Sequence, residues 1–218
     1  MKAQFDHLAV AALSLEDGVD WIEKQLGGVR PPPGGAHHRM ATHNHLLRLS
    51  ATTFLEVIAV DPAAPPPARP RWFGLDSADM HLRLAERPRL IGWVAAVDDI
   101  RQAVAASLIA SGPAEPISRG TLEWLITIPQ DGSLAEGGTM PILIQWPADC
   151  PHPAAGMQDL GCSLISLDLG HPEPDRLDAA LDAITLDRNG VVHVQMDPSG
   201  PRLSASIRTP AGITVLQS

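Results

Sequence analysis

The chain has 218 residues, is 44% hydrophobic and carries a formal net charge of −9 at pH 7. That is enough apolar material for one large core or two small ones. A negative balance without a basic stripe gives a phosphate backbone little attraction, so no nucleic-acid partner is expected. No run approaches the roughly 20 apolar residues needed to span a bilayer, so no membrane partner is expected either. Cys150 and Cys162 have neither a CxxC spacing nor the number that makes a disulfide framework, which suits a reduced, cytoplasmic protein. The first residues lead directly into an alternating strand, not into an apolar signal core. With no tyrosine and three phenylalanines, the core must rely on aliphatic side chains, with five tryptophans filling larger spaces.

Residues 5–11 read as a strand, with Phe5, His7 and Ala9 on one face and Asp6, Leu8 and Val10 on the other. A helix follows. Ser14 and Asp17 form a capping box, Leu15, Val19, Ile22 and Leu26 make one apolar stripe, and Gly27-Gly28 ends it. Residues 31–35 (PPPGG) cannot continue a helix and open a loop carrying His37, His38, His43 and His45. Two apolar runs, residues 46–49 and 53–60, form a hairpin across a Ser50-Ala51-Thr52 connection. Glu56 lies in the middle of the second run, where a carboxylate is costly to bury without a cation, a proton or a metal ion.

Residues 61–88 form a proline-rich excursion that resists both helix and central strand. A loop this long in a compact domain suits the covering of a cavity, and Trp72 with Phe73 gives it an apolar hook. Residues 90–97 read as a strand, and Asp98 or Asp99 caps a helix with the stripe Ile100, Val104 and Leu108. Residues 121–128 and 141–146 are two further strands. A second irregular connection contains His152. The strand at 164–169, the helix opened by Pro174 with Leu177, Leu181 and Ile184 inward, and strands at 191–196, 203–208 and 213–216 complete a third cycle. The expected organisation is a first module over 1–62, a covering loop over 63–88, a second module over 89–147, a connection over 148–161 and a third strand-helix-strands unit over 162–218. Packed together as one domain, these make an α+β protein of repeated βαβββ-type modules.

The segments DHLAVAA at 6–12, GGAHHRMATHNHLLRL at 34–49, FLEVIAVDP at 54–62, PRWFGLD at 70–76, PRLIGWVAAVDD at 88–99, PILIQWP at 141–147 and LGHPEP at 169–174 resemble the glyoxalase-like domain proteins of the vicinal oxygen chelate superfamily. The resemblance implies paired βαβββ modules whose curved mixed sheets enclose a cup-shaped cavity. It also implies a divalent metal ion there, holding neighbouring oxygens of a small substrate. His7 matches the early-strand ligand position, and Glu56 the late-strand one. The second module should contribute the remaining ligands, but it offers Gly92 and Trp93 at the corresponding place. Gln145 is a polar replacement on a later strand.

Imidazole and carboxylate suit a first-row divalent ion, and one further donor would leave an open position for substrate. Such an ion would polarise a carbonyl while Glu56 or another pocket base moved a proton. His43 is a second candidate catalytic group, either donating to Glu56 or orienting substrate; Asn44, Arg48, Trp72, Trp93, Gln145 and Trp146 are candidate substrate contacts. Each has a plainer reading: a hydrogen-bonded structural histidine, a turn asparagine, a solvated arginine or a core tryptophan. Two functions remain open, a metal-assisted lyase, isomerase or dioxygenase and a metal-free protein that binds or sequesters a small molecule. Edge strands also allow a homodimer or an interaction module.

Overall fold

The computed structural model describes residues 2–120 and 122–218. Thr121, where one strand was expected to start, lies outside the described residues. The first 60 residues run β1 (Ala3–Ala11), α1 (Leu15–Gln25), β2 (Pro33–His37), β3 (Thr42–Arg48) and β4 (Phe54–Val60). After α2 (Ala78–Glu86) the same order recurs as β5 (Arg89–Val97), α3 (Ile100–Ala106), β6 (Ala114–Arg119), β7 (Leu122–Thr127) and β8 (Ile142–Gln145). The remainder is β9 (Ser163–His171), α4 (Pro174–Ala183), β10 (Leu186–Asp187), β11 (Val192–Met196), β12 (Arg202–Thr209) and β13 (Gly212–Gln217).

The eight strands of the two repeats join one mixed sheet in the order β2-β3-β4-β1-β5-β8-β7-β6, with β10 added against β1. The halves mirror each other. β1 runs parallel to β4 and β5 parallel to β8, while the central β1–β5 pair is antiparallel. The sheet curls until its end strands β2 and β6 approach, giving an α+β fold built on one nearly closed barrel. β2 and β6 share no backbone ladder among the described residues. Side chains bridge the seam instead: Arg39 pairs with Glu115 and donates to the Pro116 carbonyl at 2.6 Å. A second sheet, β11-β9-β12-β13, stands apart.

Two apolar clusters divide the interior. The outer one joins Leu8, Val10, Trp93 and Ala95 of the central strands to Ile22 of α1, Leu177 and Leu181 of α4, and Leu167, Leu169, Leu203 and Ile207 of the small sheet. The inner one lies within the curl and includes Ile58, Val94, Trp124, Ile126, Ile142 and Ile144. It is closed by Trp72, Phe73, Met80 and Leu84. No helix among the described residues is long and apolar enough to cross a membrane.

Local chemistry explains most element ends. The Ser14 hydroxyl accepts from the Asp17 amide at 3.1 Å and opens α1. Asp99 does the same for the Gln102 amide in α3 at 3.0 Å. α3 is shorter than expected: Ile100 and Ala103 are its buried residues, and Leu108 is exposed beyond its end. There the Ser107 hydroxyl donates to the Ile109 carbonyl and the backbone turns extended. The expected structureless excursion contains α2, opened by the Ser77 hydroxyl accepting from the Met80 amide. The expected histidine loop is largely strand, with His43 and His45 inside β3 and His37 ending β2.

The covering segment is held by backbone. Arg71 closes a ring with Asp76 through both its amide and its guanidinium, and the Gly74 amide donates to the Gly132 carbonyl at 2.7 Å. Gly132 has φ of +71°, and a Cβ there would lie 1.9 Å from the Arg71 carbonyl oxygen. Gly190 has a similar φ of +66° with open space around it. Gly190→Ala should therefore cost about 1 kcal/mol from backbone strain alone, whereas Gly132→Ala should cost at least about 2 kcal/mol more, read from urea denaturation midpoints. Equal losses would mean that the close approach at Gly132 does not hold the covering segment.

Candidate functional site

Regular alternation would send Asp6 and His7 to opposite faces of β1. The pairing of β1 with β5 instead shifts by one residue between Phe5 and His7, so a bulge falls at Asp6. A bulge sets two residues against one and re-aims side chains. The face assignment expected for Phe5 is corrected accordingly: Phe5 joins Leu8 and Val10 in the outer cluster, while Ala9 and Ala11 belong to the inner one. Asp6 and His7 are both buried, and the Asp6 carboxylate lies 2.6 Å from His7 Nδ1.

Asp6 receives three donors. Its second oxygen takes the Trp146 indole N–H at 2.8 Å and His152 Nε2 at 3.0 Å. The His152 tautomer follows from its surroundings, because Nδ1 accepts from the Ala154 amide at 3.1 Å and Nε2 must then carry the proton. Burial alone would push the Asp6 carboxyl up, but the bonds from His152 and His7 and the proximity of both rings bring it down to about 2. With Asp6 ionised, His7 Nδ1 must be the donor. A neutral His7 therefore presents the lone pair of Nε2 to the cavity. Phe54 stacks on the His7 ring, with centroids 4.3 Å apart.

Glu56 reaches the same point from β4. Its Oε2 lies 3.8 Å from His7 Nε2, beyond hydrogen-bond range. Its Oε1 accepts from the Asn44 side-chain amide at 2.6 Å, and the Asn44 oxygen accepts from the Gly35 amide at 2.9 Å. Asn44 thus locks the carboxylate to β2 and β3. The facing wall comes from the second half of the sheet and is apolar, with Trp124, Ile126, Ile144 and Trp146; Trp72 and Phe73 close it from the covering segment. Arg119, at the end of β6, supplies the cation. The hollow has a volume of about 380 Å³, counting the part that opens to solvent, and is narrow inside. It holds small groups as it stands, and larger ones require side chains to move.

His7, Asn44, Glu56, Trp72 and Trp146 come together here. The other candidates lie elsewhere. His43 neighbours Asn44 on a strand and so faces away, with its Nε2 buried and without a partner among the described residues. Trp93 belongs to the outer cluster and donates to the Thr139 carbonyl at 2.9 Å. Gln145 accepts from the Ile100 amide at 2.8 Å and so caps α3. Arg48 donates to the Ser50 and Met157 carbonyls at the far end of β3. Sequence reasoning passed over Asp6, Arg119 and Trp124, and placed His37 in a glycine-rich loop, whereas it is buried at the end of β2. An alternation of Glu115, Ile117 and Arg119 was present, but Pro116 obscured it as a strand.

The fold family implies a divalent ion, and the donors test that. Among the described residues no group of three His, Cys, Asp or Glu side chains is placed to hold a metal ion. The places on β5 and β8 that mirror the contributions of β1 and β4 present Val94, Ile142 and Ile144 inward. Arg119 already brings positive charge to Glu56. Two donors, in a cavity that already holds a guanidinium, do not fit a chelated dication.

His37 lies in this cavity with its Nδ1 3.2 Å from the Thr42 hydroxyl and its ring edge-on to Trp72. Burial pushes it down to about 4, Glu56 opposing and Arg119 assisting. Its ordinary value is 6.5, so the unfolded chain takes up this proton first as pH falls. The stability it contributes is complete above about pH 6.5 and is lost towards pH 4, on the order of 3 kcal/mol in all. Asp6, lowered from 3.8 to about 2, adds a loss between those values. His37→Gln should flatten the unfolding midpoint against pH between 6.5 and 4 and leave the steeper acid limb; an unchanged upper limb would refute this assignment.

A family model described as a glyoxalase-like domain matches residues 5–185. Curated protein sequences give no match. Among solved structures, a hypothetical protein from Staphylococcus aureus aligns with a TM-score of 0.60 at 13% identity, covering 90% of this chain and 87% of that one. A mutant of 4-hydroxymandelate synthase from Streptomyces coelicolor aligns at 0.44 and 13% identity, over 98% of this chain and 62% of that one. The methylmalonyl-CoA epimerase of the same organism gives 0.40 and 14% identity, over 66% of this chain and 94% of that one. The Staphylococcus aureus protein shares the fold. The family match spans most of the chain and includes both strands that bring His7 to Glu56: this chain belongs to the glyoxalase-like domain family.

Proposed function

We propose that the two βαβββ repeats form a cup-shaped site in which His7 moves a proton on a small, oxygen-bearing molecule without a metal ion. The observation that carries this reading is the Asp6–His7 couple, with its free nitrogen 3.8 Å from Glu56 inside the hollow. A carboxylate behind an imidazole fixes its tautomer and stabilises the imidazolium formed when Nε2 accepts a proton. Glu56, held by Asn44, offers a second acceptor on the same side. Two proton carriers this close suit transfer between a carbon and the oxygen on its neighbour, the step that isomerises a hydroxycarbonyl compound. The apolar wall excludes water and strengthens each charge inside.

Exchange of carbon-bound hydrogen for deuterium in D2O, followed by proton NMR over a panel of small hydroxy- and oxocarbonyl compounds, tests this without knowledge of the product. His7→Ala should slow exchange by about 100-fold or more, and Asp6→Asn by a comparable factor while leaving Glu56 in place. No exchange with any compound, or equal exchange in His7→Ala, would sink the proposal.

A second reading, favoured by the 3.8 Å approach of His7 Nε2 to Glu56 Oε2, is that these two residues would hold a divalent ion, which would polarise a substrate carbonyl. Elemental analysis of protein purified without a histidine tag separates the two. We expect no stoichiometric ion and full exchange after chelation. A stoichiometric ion, with exchange lost on chelation and restored by adding the metal, would establish the second reading instead.

A further inference from the structure

We infer that the cavity recognises its ligand by a carboxylate, gripped by Arg119 together with the indole N–H groups of Trp72 and Trp124. The inference rests on the reading of this hollow as a small-molecule site and names the class of molecule it takes.

Two buried donors on residues that line this cavity lack acceptors, and a third group, Arg119, has no protein partner among the described residues. The Trp72 and Trp124 indole nitrogens are buried and have no hydrogen-bond partner among the described residues. Their side chains are 3% and 6% exposed, so solvent does not supply the acceptor from outside. An indole nitrogen only donates, and a buried donor left unmade costs about 1–3 kcal/mol. Trp93 and Trp146 are satisfied, the first by the Thr139 carbonyl and the second by Asp6. Arg119 makes no hydrogen bond or ion pair among the described residues, unlike Arg39, Arg69 and Arg71, which are committed to Glu115 or Asp76. Burial pushes the Arg119 guanidinium down from its usual value, and Glu56 acts on it only from a distance. A half-buried cation that lines the same cavity as two residues with orphan donors, with no acid of its own in contact, suits a receptor for acceptor oxygens.

The charge balance selects the kind of anion. Arg119 faces Glu56 across the hollow, so a bound monoanion shares one positive charge with one resident carboxylate. A dianion such as phosphate would add further repulsion in a space of low polarity. A carboxylate is planar, matches the guanidinium fork and leaves lone pairs for the indoles. The small free space limits what the acid can carry to a few atoms. Arg119 and Trp124 belong to β6 and β7, whereas His7 and Glu56 belong to β1 and β4. An acid held at the first pair of strands therefore directs its adjoining carbon towards the second.

The five tryptophans provide the test, because each indole N–H gives one signal in a nitrogen-15 correlation spectrum. Trp72→Phe and Trp124→Phe assign the two signals. Pyruvate serves as the carboxylate probe, pyruvamide as its neutral counterpart and inorganic phosphate as the dianion. Pyruvate should move the Trp72 and Trp124 signals downfield and leave Trp21 still, and pyruvamide at the same concentration should move neither. Arg119→Gln should weaken pyruvate by about tenfold or more, with Arg119→Lys intermediate, and the unchanged spread of the remaining indole signals reports that both variants fold. His7→Ala should keep the pyruvate shifts, so loss of proton transfer and loss of acid recognition are read separately. Equal shifts from pyruvamide, tighter binding of phosphate, no response to pyruvate at 50 mM or about that level, or undiminished binding in Arg119→Gln would each overturn the inference.

Discussion

A single buried negative charge organises the functional half of this molecule. Asp6 is almost wholly out of water, and a carboxylate there is tolerable only because three donors reach it from three parts of the chain. His7 comes from the same strand, Trp146 from the end of β8, and His152 from the irregular connection beyond. The charge therefore ties the two halves of the main sheet to the connection that crosses them. It also fixes the tautomer of His7, leaving the other ring nitrogen directed at Glu56. Structure and chemistry draw on the same carboxylate, so a change at Asp6 disturbs both.

The pseudo-symmetry of the barrel makes the contents of the cavity informative. Each half has the same order of elements and the same pattern of parallel and antiparallel pairs. One half contributes an aspartate-oriented imidazole and an asparagine-held carboxylate. Its mirror image contributes isoleucines, valine and tryptophans, with one arginine at the rim. The division gives the hollow a polar wall and an apolar wall, the setting on which the proposed proton transfer rests. It also explains why a chelate of four side chains has no place here: half of the positions that would supply it are hydrocarbon.

Much of the architecture could be read from residue patterns because its signals are local. Ser14, Asp99 and Pro174 mark helix starts, and Val19 with Ile22 or Leu177 with Leu181 show helical spacing. His7 and Glu56 were legible as charged or titratable groups inside apolar runs. The bulge at Asp6 was not, because it depends on the register with β5, 83 or more residues away, and no spacing within β1 announces it. α2 escaped notice since its short amphipathic pattern follows a run of prolines. β6 did so because Pro116 interrupts it, and with it went Arg119. His43 stood out by chemistry alone, yet strand alternation gives the inward place to Asn44.

The seam between β2 and β6 has a consequence for how anything enters. Every other neighbouring pair along this barrel is joined by backbone ladders, which part only at considerable cost. At the seam the joining groups are the Arg39–Glu115 pair and the stem of Arg119, which lies against Gly35 so closely that a Cβ there would be 2.8 Å from Arg119 Cδ. Partly solvated ion pairs of this kind hold weakly and are screened by dissolved salt. The barrel thus has one stave fastened by clasps instead of stitching, and a guest could part that stave while the rest of the wall keeps its shape.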